Sequence, residues 1–234
     1  MLCRLAESTI ARVRRAGKDK SLCRASRLST IVASLHTAPV IPARTRGSVT
    51  VTMEYTSTGS AVISEDGKYR YHLRRPIAPR GRIATFIMLN PSTADAWVDD
   101  PTIRKCIGFC QRWGCGELHV ANLFAFRATD PAELRQSDDP VGPDNCEWVQ
   151  RIVDITVNRV SPEHRGCVVC AWGTHGSYMD QDRTVLGWIE DVCQPMCLGV
   201  TQDGYPRHPL YVPYSAERVA FNSRLAISGR SNKR

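Results

Sequence analysis

Four short apolar runs alternate with amphipathic segments along the middle of the chain. The apolar runs are Ile83–Leu89, Leu118–Ala121, Cys167–Ala171 and Met196–Val200. Apolar and polar residues do not alternate within these runs. Such continuous apolar runs are typical of strands covered on both faces. One segment with helical spacing separates each run from the next: Thr102–Trp113, Asp144–Val160 and Asp182–Val192. This alternation predicts parallel strands joined by right-handed crossovers.

A hairpin is expected before the first of these strands. Two strand-like runs, Ala61–Ser64 and Tyr69–Arg74, flank the turn sequence Glu65-Asp66-Gly67. The predicted fold is a three-layer α/β/α sandwich with a central, mostly parallel four-stranded sheet and an N-terminal hairpin. No apolar run approaches the roughly 20 residues that span a bilayer, so a soluble protein with no membrane partner is expected.

The net charge of +8 is carried by the first segment of the chain. Residues 1–52 hold 10 Lys/Arg and 2 Asp/Glu, whereas the remainder holds 21 of each. Three interpretations stay open: an organellar transit peptide, a disordered basic arm, or sequence upstream of a true start at Met53. We therefore predict a disordered segment at 1–52, one α/β domain at 53–226 and a disordered tail at 227–234. The neutral domain gains no support for nucleic-acid binding from its bulk charge.

The ten cysteines favour buried thiols over a metal site. Cys106 and Cys110 recur at helical spacing with apolar residues, which predicts a buried helix face. Cys167 and Cys170 lie three apart in a strand and so point to opposite faces. A zinc or iron–sulfur site that adds the pair Cys193 and Cys197 is the alternative. We expect reduced thiols in a cytoplasmic protein, with no metal and no cofactor.

Polar side chains follow each predicted strand closely. The segments that leave the strand ends are Asn90–Asp95, Asn122–Arg127, Trp172–Gly176 and Arg207–Tyr211. Ligands bind beyond the carboxyl ends of an open parallel sheet, so these segments predict one polar site around Asn90, Asn122 and His208.

Each of these residues also has a purely structural interpretation. An Asn after a strand commonly bonds its own turn, and His208 can be an exposed loop residue. Asp95, Asp99 and Asp100 can form a cap and a solvated loop, Arg127 can be a surface charge, and Trp172 can belong to the core. Their convergence on adjacent strand ends favours a site.

Six motifs closely resemble an uncharacterised family, domain-of-unknown-function family 1643. They are Phe86–Asp95, Asp99–Arg104, Asn122–Pro131, Asp139–Asn145, Ala171–Gly173 and Gly204–Pro213. The likeness covers roughly Gly67–Tyr214 and implies a family without implying a function.

A second set of short motifs is similar to the uracil-DNA glycosylase superfamily: Asn90-Pro91, Asn122-Leu123, Trp172-Gly173 and His208-Pro209. The resemblance implies that Asn90 positions the attacking water, Asn122 reads the base edge and His208 stabilises the departing base. Ser92 and Thr93 stand where that superfamily commonly has glycine, and Leu210 where it commonly has serine.

The predicted function is that of an N-glycosidase acting on a modified or damaged nucleobase. Asn90, Asp95 and His208 are the predicted catalytic residues, because a carboxylate can orient water or stabilise a cationic sugar. The predicted substrate-binding residues are Asn122, Arg127, Trp172, Ser92 and Thr93. The alternatives are a non-catalytic module that binds nucleic acid or a nucleotide, and a small-molecule hydrolase using Asp95 and His208. We expect a nucleic acid or nucleotide-like ligand and no obligate protein partner.

Overall fold

A computed structural model describes residues 50–56, 59–158 and 165–222, which form a mixed α/β fold. The strands are β1 (Val51–Thr56), β2 (Gly59–Ser64), β3 (Arg70–Pro76), β4 (Arg82–Met88), β5 (Cys115–Asn122), β6 (Cys167–Cys170), β7 (Met196–Cys197) and β8 (Val219–Ala220). The α-helices of the described residues are α1 (Pro101–Arg112), α2 (Asn145–Asn158) and α3 (Gln181–Glu190). Within this described part, no helix is both long and apolar enough to cross a bilayer.

The strands form one eight-stranded sheet in the order β1-β2-β3-β5-β4-β6-β7-β8. The neighbours β5, β4, β6 and β7 are mutually parallel, as predicted from the four apolar runs. The other four pairings are antiparallel. The prediction of a mostly parallel, four-stranded sheet was therefore wrong in size and in overall composition. Antiparallel strands extend the sheet on both sides, and β1 and β8 lack the apolar runs that mark buried strands.

The predicted hairpin is confirmed as β2 and β3. Asp66 shapes its turn by accepting from the Ser64 hydroxyl at 2.6 Å and the Lys68 amide at 3.1 Å. Gly67 takes a φ of +72°, which glycine adopts without strain. Strand β1 precedes the hairpin, and Val51 pairs with Ser64. The predicted domain boundary after Thr52 thus falls inside β1. Residues 1–49 and the predicted tail at 227–234 lie outside the described residues.

Helix α1 (Pro101–Arg112) matches the predicted segment Thr102–Trp113 to within one residue at each end. The Asp100 carboxylate accepts from the Ile103 amide at 2.8 Å, and Pro101 occupies the first turn. Gly114 follows the helix with a φ of +65°. A 3₁₀ helix at Pro131–Gln136, which starts with a capping box, lies between β5 and α2.

Two hydrophobic cores cover the two faces of the parallel strands. Phe86 and Met88 of β4 belong to the core formed with α1, whereas Ile87 belongs to the core formed with α2 and α3. The alternation of strand side chains explains this division. Cys106 and Cys110 are buried on the inner face of α1, which confirms their predicted role as small hydrophobic residues.

Candidate ligand site at the strand ends

The carboxyl ends of β4 and β5 lie side by side, with Met88 in register with Asn122. Main-chain hydrogen bonds continue this contact beyond the strands, from Leu123 N to Met88 O at 2.9 Å and from Phe124 N to Leu89 O at 3.0 Å. The loops that follow the two strands therefore start together, as the sequence predicts.

The side chain of Asn122 is buried against Arg70 of β3. Nη2 of Arg70 donates to Oδ1 of Asn122 at 3.4 Å, and Nη1 donates to Ala94 O at 2.7 Å. Arg70 is 2% exposed and Asn122 is 1% exposed. Nε of Arg70 and Nδ2 of Asn122 are buried donors without an acceptor among the described residues. Burial lowers the pKa of Arg70 to about 10.

Arg70 was not among the site residues predicted from sequence. The local pattern that marks it is an arginine between two tyrosines at the start of β3. A buried guanidinium is costly without a compensating charge, so this residue type at this place points to function more strongly than a surface arginine would.

Asn90 joins two of the loops. Its Nδ2 donates to Ala128 O at 2.7 Å and to Pro91 O at 3.1 Å. The Ala128 amide in turn donates to Pro91 O at 2.9 Å. Both bonds of the Asn90 side chain use its amino group, so its Oδ1 is the atom that can accept from a ligand or water.

The three aspartates in the loop between β4 and α1 already have partners within the domain. Oδ1 of Asp95 accepts from the amides of Trp97 and Val98 at 2.8 and 2.9 Å. Asp99 pairs with the buried Arg75 at 2.8 Å, and Asp100 caps α1. The structural interpretation of these three residues therefore accounts for their contacts, and Asp95 keeps only Oδ2 for other chemistry.

His208 lies at the same edge of the sheet as Asn90. A Cβ placed on Gly173, directly after β6, would lie 3.8 Å from the His208 Cβ. Nδ1 of His208 accepts from the Leu210 amide at 3.4 Å, so the neutral ring carries its proton on Nε2. Burial lowers the pKa of His208 below its usual 6.5, and the nearby Asp100 opposes that shift. The ring is thus a neutral donor at neutral pH.

Three further predicted residues, Arg127, Ser92 and Thr93, are only partly buried or are exposed. Arg127 is half-buried, donates to Gly67 O at 3.2 Å, and lies close enough to Arg70 to lower the Arg70 pKa. Ser92 is half-buried and Thr93 is exposed.

Trp172 is a core residue. It is 2% exposed, and its indole packs edge-on against Phe221 with the ring centroids 6.0 Å apart. The ring has no exposed face on which a base can stack. Its burial agrees with the structural interpretation, and its role in substrate binding stays a prediction.

Asn145 is a second residue that sequence reasoning missed. Its Nδ2 donates to the main-chain oxygens of Asn122 and Leu123 at 3.1 and 3.0 Å. Asn145 is buried at the start of α2, so it fixes the end of β5 and thereby positions Asn122.

Two cavities of the described residues lie outside this site. One of about 240 Å³ lies between the loops that follow β5 and β6, and its lining includes Asp130, Arg135, His175 and Tyr178. The other, of about 420 Å³, lies by the amino ends of β6 and β7 and is lined in part by Cys167, Cys193 and Arg218. Neither lining includes Asn90, Asn122 or His208.

The fold and this site define a mixed α/β domain that presents amide, guanidinium and imidazole groups at the carboxyl edge of its parallel strands. The family model described as "Protein of unknown function (DUF1643)" matches residues 70–210, and the chain belongs to that family. The predicted family resemblance is thereby confirmed. Neither the curated proteins nor the solved structures contain a match to the chain, and the resemblance to the uracil-DNA glycosylase superfamily gains no support from them.

Proposed function

We propose that the domain binds a nucleotide-like ligand at the carboxyl edge of its parallel strands and cleaves the N-glycosidic bond of that ligand. The observation that carries the proposal is the buried Nδ2 of Asn122, a hydrogen-bond donor at the end of β5 with no acceptor among the described residues. The proposal includes the roles that the uracil-DNA glycosylase resemblance implies for Asn90, Asn122 and His208.

Asn122 is suited to recognise a base carbonyl. Arg70 occupies its Oδ1 and fixes the orientation of the amide, so that Nδ2 is the atom left for a ligand. A buried polar group that lacks its partner is costly, and a ligand that supplies the acceptor gains that energy on binding. The site thus favours a base with a carbonyl oxygen on its recognised edge.

His208 supplies the charge stabilisation that the reaction needs. In N-glycosidic cleavage, the base departs with the bonding electron pair as water adds to the anomeric carbon of the sugar, and the proton that the water releases ends on the departed base. A neutral imidazole with its proton on Nε2 can donate to the developing negative charge on the base. A preorganised donor of this kind contributes on the order of 3 kcal/mol.

Asn90 is suited to hold the attacking water through Oδ1, because its amino group is occupied by Ala128 and Pro91. A fixed acceptor can orient a water molecule without removing its proton.

Binding without cleavage is the second candidate function. The observation in its favour is that Oδ1 of Asp95 and Oδ1 of Asp100 accept from main-chain amides, which weakens the case for a carboxylate base. The same observation counts against a hydrolase that relies on Asp95 and His208. The rim mixes arginine and aspartate, which favours a nucleotide-sized ligand over a duplex.

Base release from a panel of modified nucleosides, nucleotides and short single-stranded DNAs tests the proposal. We expect one class of substrate to release free base, His208→Gln to reduce turnover by about 100-fold or more, and His175→Gln to retain it. His175 is the matched control because it is an exposed histidine in the loop after β6. Ligand binding without base release would support the second candidate, and equal activity in the two variants would refute the role of His208.

A further inference from the structure

We infer that Arg70 binds a phosphate-class oxyanion of the ligand beside the Asn122 amide. The inference rests on the proposed location of the site and not on catalysis, because it concerns only the charge of the group that is bound. It names a residue, Arg70, that lies outside the set predicted from sequence.

Arg70 lacks a carboxylate partner. Its hydrogen bonds go to a main-chain carbonyl and a neutral amide, and no carboxylate lies within ion-pair distance of it among the described residues. Asp95 and Asp100 are the carboxylates close enough to influence it, and Oδ1 of each already accepts from main-chain amides. Arg74 and Arg75, the other arginines of the same strand, have Glu117 and Asp99 as their partners.

Nε of Arg70 is a buried donor without an acceptor among the described residues. Nη2 of the same guanidinium donates to Oδ1 of Asn122 at 3.4 Å, so the Asn122 amide orients the cation. A donor on a cation matches an oxygen of an anion better than it matches a neutral carbonyl, which leaves the neutral Nδ2 of Asn122 for the base carbonyl.

Arg127 adds positive charge near Arg70, since it lies close enough to lower the Arg70 pKa. A second cation favours an anion near the pair of arginines. A phosphate carries up to two negative charges at neutral pH and presents several acceptor oxygens, so it fits this environment better than a singly charged carboxylate does.

Stability and binding are expected to change in opposite directions at Arg70 and Asn122. Asn122→Asp places a carboxylate beside Arg70, which supplies the missing counter-charge and competes with an anion. Arg70→Met removes the charge at similar volume and leaves a buried site that no longer needs an anion. Replacing a buried charged group by an apolar one of similar volume is commonly neutral or stabilising.

Titration calorimetry of the full chain with inorganic phosphate, thymidine and thymidine 5′-monophosphate tests the inference. We expect the monophosphate to bind at least ten times more tightly than thymidine, and Arg70→Met to abolish the difference. Asn122→Asp should weaken phosphate-dependent binding more than tenfold and raise the melting temperature. Arg82→Met, at the exposed amino end of β4, is the matched control and should bind as the parent does.

The three probes distinguish a nucleotide phosphate from a free phosphate as the bound oxyanion. Inorganic phosphate binding as tightly as the monophosphate would identify a free phosphate or an unrelated ester as the ligand. Thymidine binding as tightly as its monophosphate, or undiminished phosphate binding in both Arg70→Met and Asn122→Asp, would overturn the inference. So would the absence of binding by both phosphate probes at millimolar concentration. If the parent protein binds phosphate but releases no base from any substrate, the proposed reaction is refuted and this inference stands.

Discussion

Nδ2 of Asn145 lies 3.1 Å from the main-chain oxygen of Asn122, and the same nitrogen reaches the next carbonyl, that of Leu123, at 3.0 Å. One buried amide on α2 therefore fixes the end of the strand that presents the Asn122 side chain. The two asparagines have different tasks, since Asn145 bonds the main chain while the Asn122 amino group has no acceptor among the described residues.

Alanine at these two positions is expected to separate stability from binding. Asn145→Ala removes the donor for two buried carbonyls and should lower the free energy of unfolding by about 2–3 kcal/mol. Asn122→Ala removes one long hydrogen bond from the buried Arg70 and should cost less, about 1–2 kcal/mol, while it abolishes binding or turnover. Urea denaturation of both variants measures the difference. A larger loss of stability in Asn122→Ala would make Asn122 a structural residue.

His208 is expected to titrate below pH 6.5 and to carry its proton on Nε2 when neutral. Burial disfavours the imidazolium, and the Leu210 amide reserves Nδ1 as an acceptor. Nitrogen-15 NMR of the histidine rings measures both the pKa and the tautomer, and the spectrum of His208→Gln assigns the resonance. A pKa above 6.5, or a proton on Nδ1, would contradict the donor role.

His72 is expected to make the domain less stable in acid. Its Nε2 is buried without a partner among the described residues, and burial together with His119, Arg74, Arg70 and Arg151 lowers its pKa well below 6.5. The unfolded chain then binds a proton below pH 6.5 that the folded chain does not bind. Stability attributable to His72 is therefore complete above pH 6.5 and falls by up to about 1.4 kcal/mol per pH unit below it.

His72→Phe should reduce this dependence. Urea denaturation of the parent and the variant at pH 7.5 and pH 5.5 compares the two profiles, and we expect the variant to lose about 1 kcal/mol less over that interval. Parallel profiles would show that another group accounts for the acid sensitivity.

Gly176 is expected to be essential to the packing of Trp172. A Cβ on Gly176 would collide with the Trp172 indole, whereas a Cβ on Gly187 in α3 would meet nothing within 4 Å. Gly176→Ala should destabilise the domain by about 2 kcal/mol through overpacking, and Gly187→Ala should stabilise it slightly through helix propensity. Thermal denaturation measures both. Equal melting temperatures would mean that the indole has room to move.

The interior strands and the helices could be predicted from sequence because their patterns are local. An apolar run marks a strand covered on both faces, and a cap such as Asp100 satisfies amides only a few residues away. The edge strands β1 and β8 escaped prediction since partly exposed strands carry no such run. The capping box at Asp130 and Glu133 is also a local signal, and it starts the 3₁₀ helix that follows β5.

The sequence by itself determined that polar residues gather at one edge, because parallel strands end on the same side of a sheet. Only the tertiary structure decided which of them meet. Arg70 and Asn122 are 52 residues apart and become neighbours because β3 pairs with β5. Whether an arginine is buried, or an aspartate is already bonded to main-chain amides as Asp95 is, depends on how distant segments enclose it. Burial and partner choice arise from the packing of the whole sheet, and no local pattern of residues encodes them.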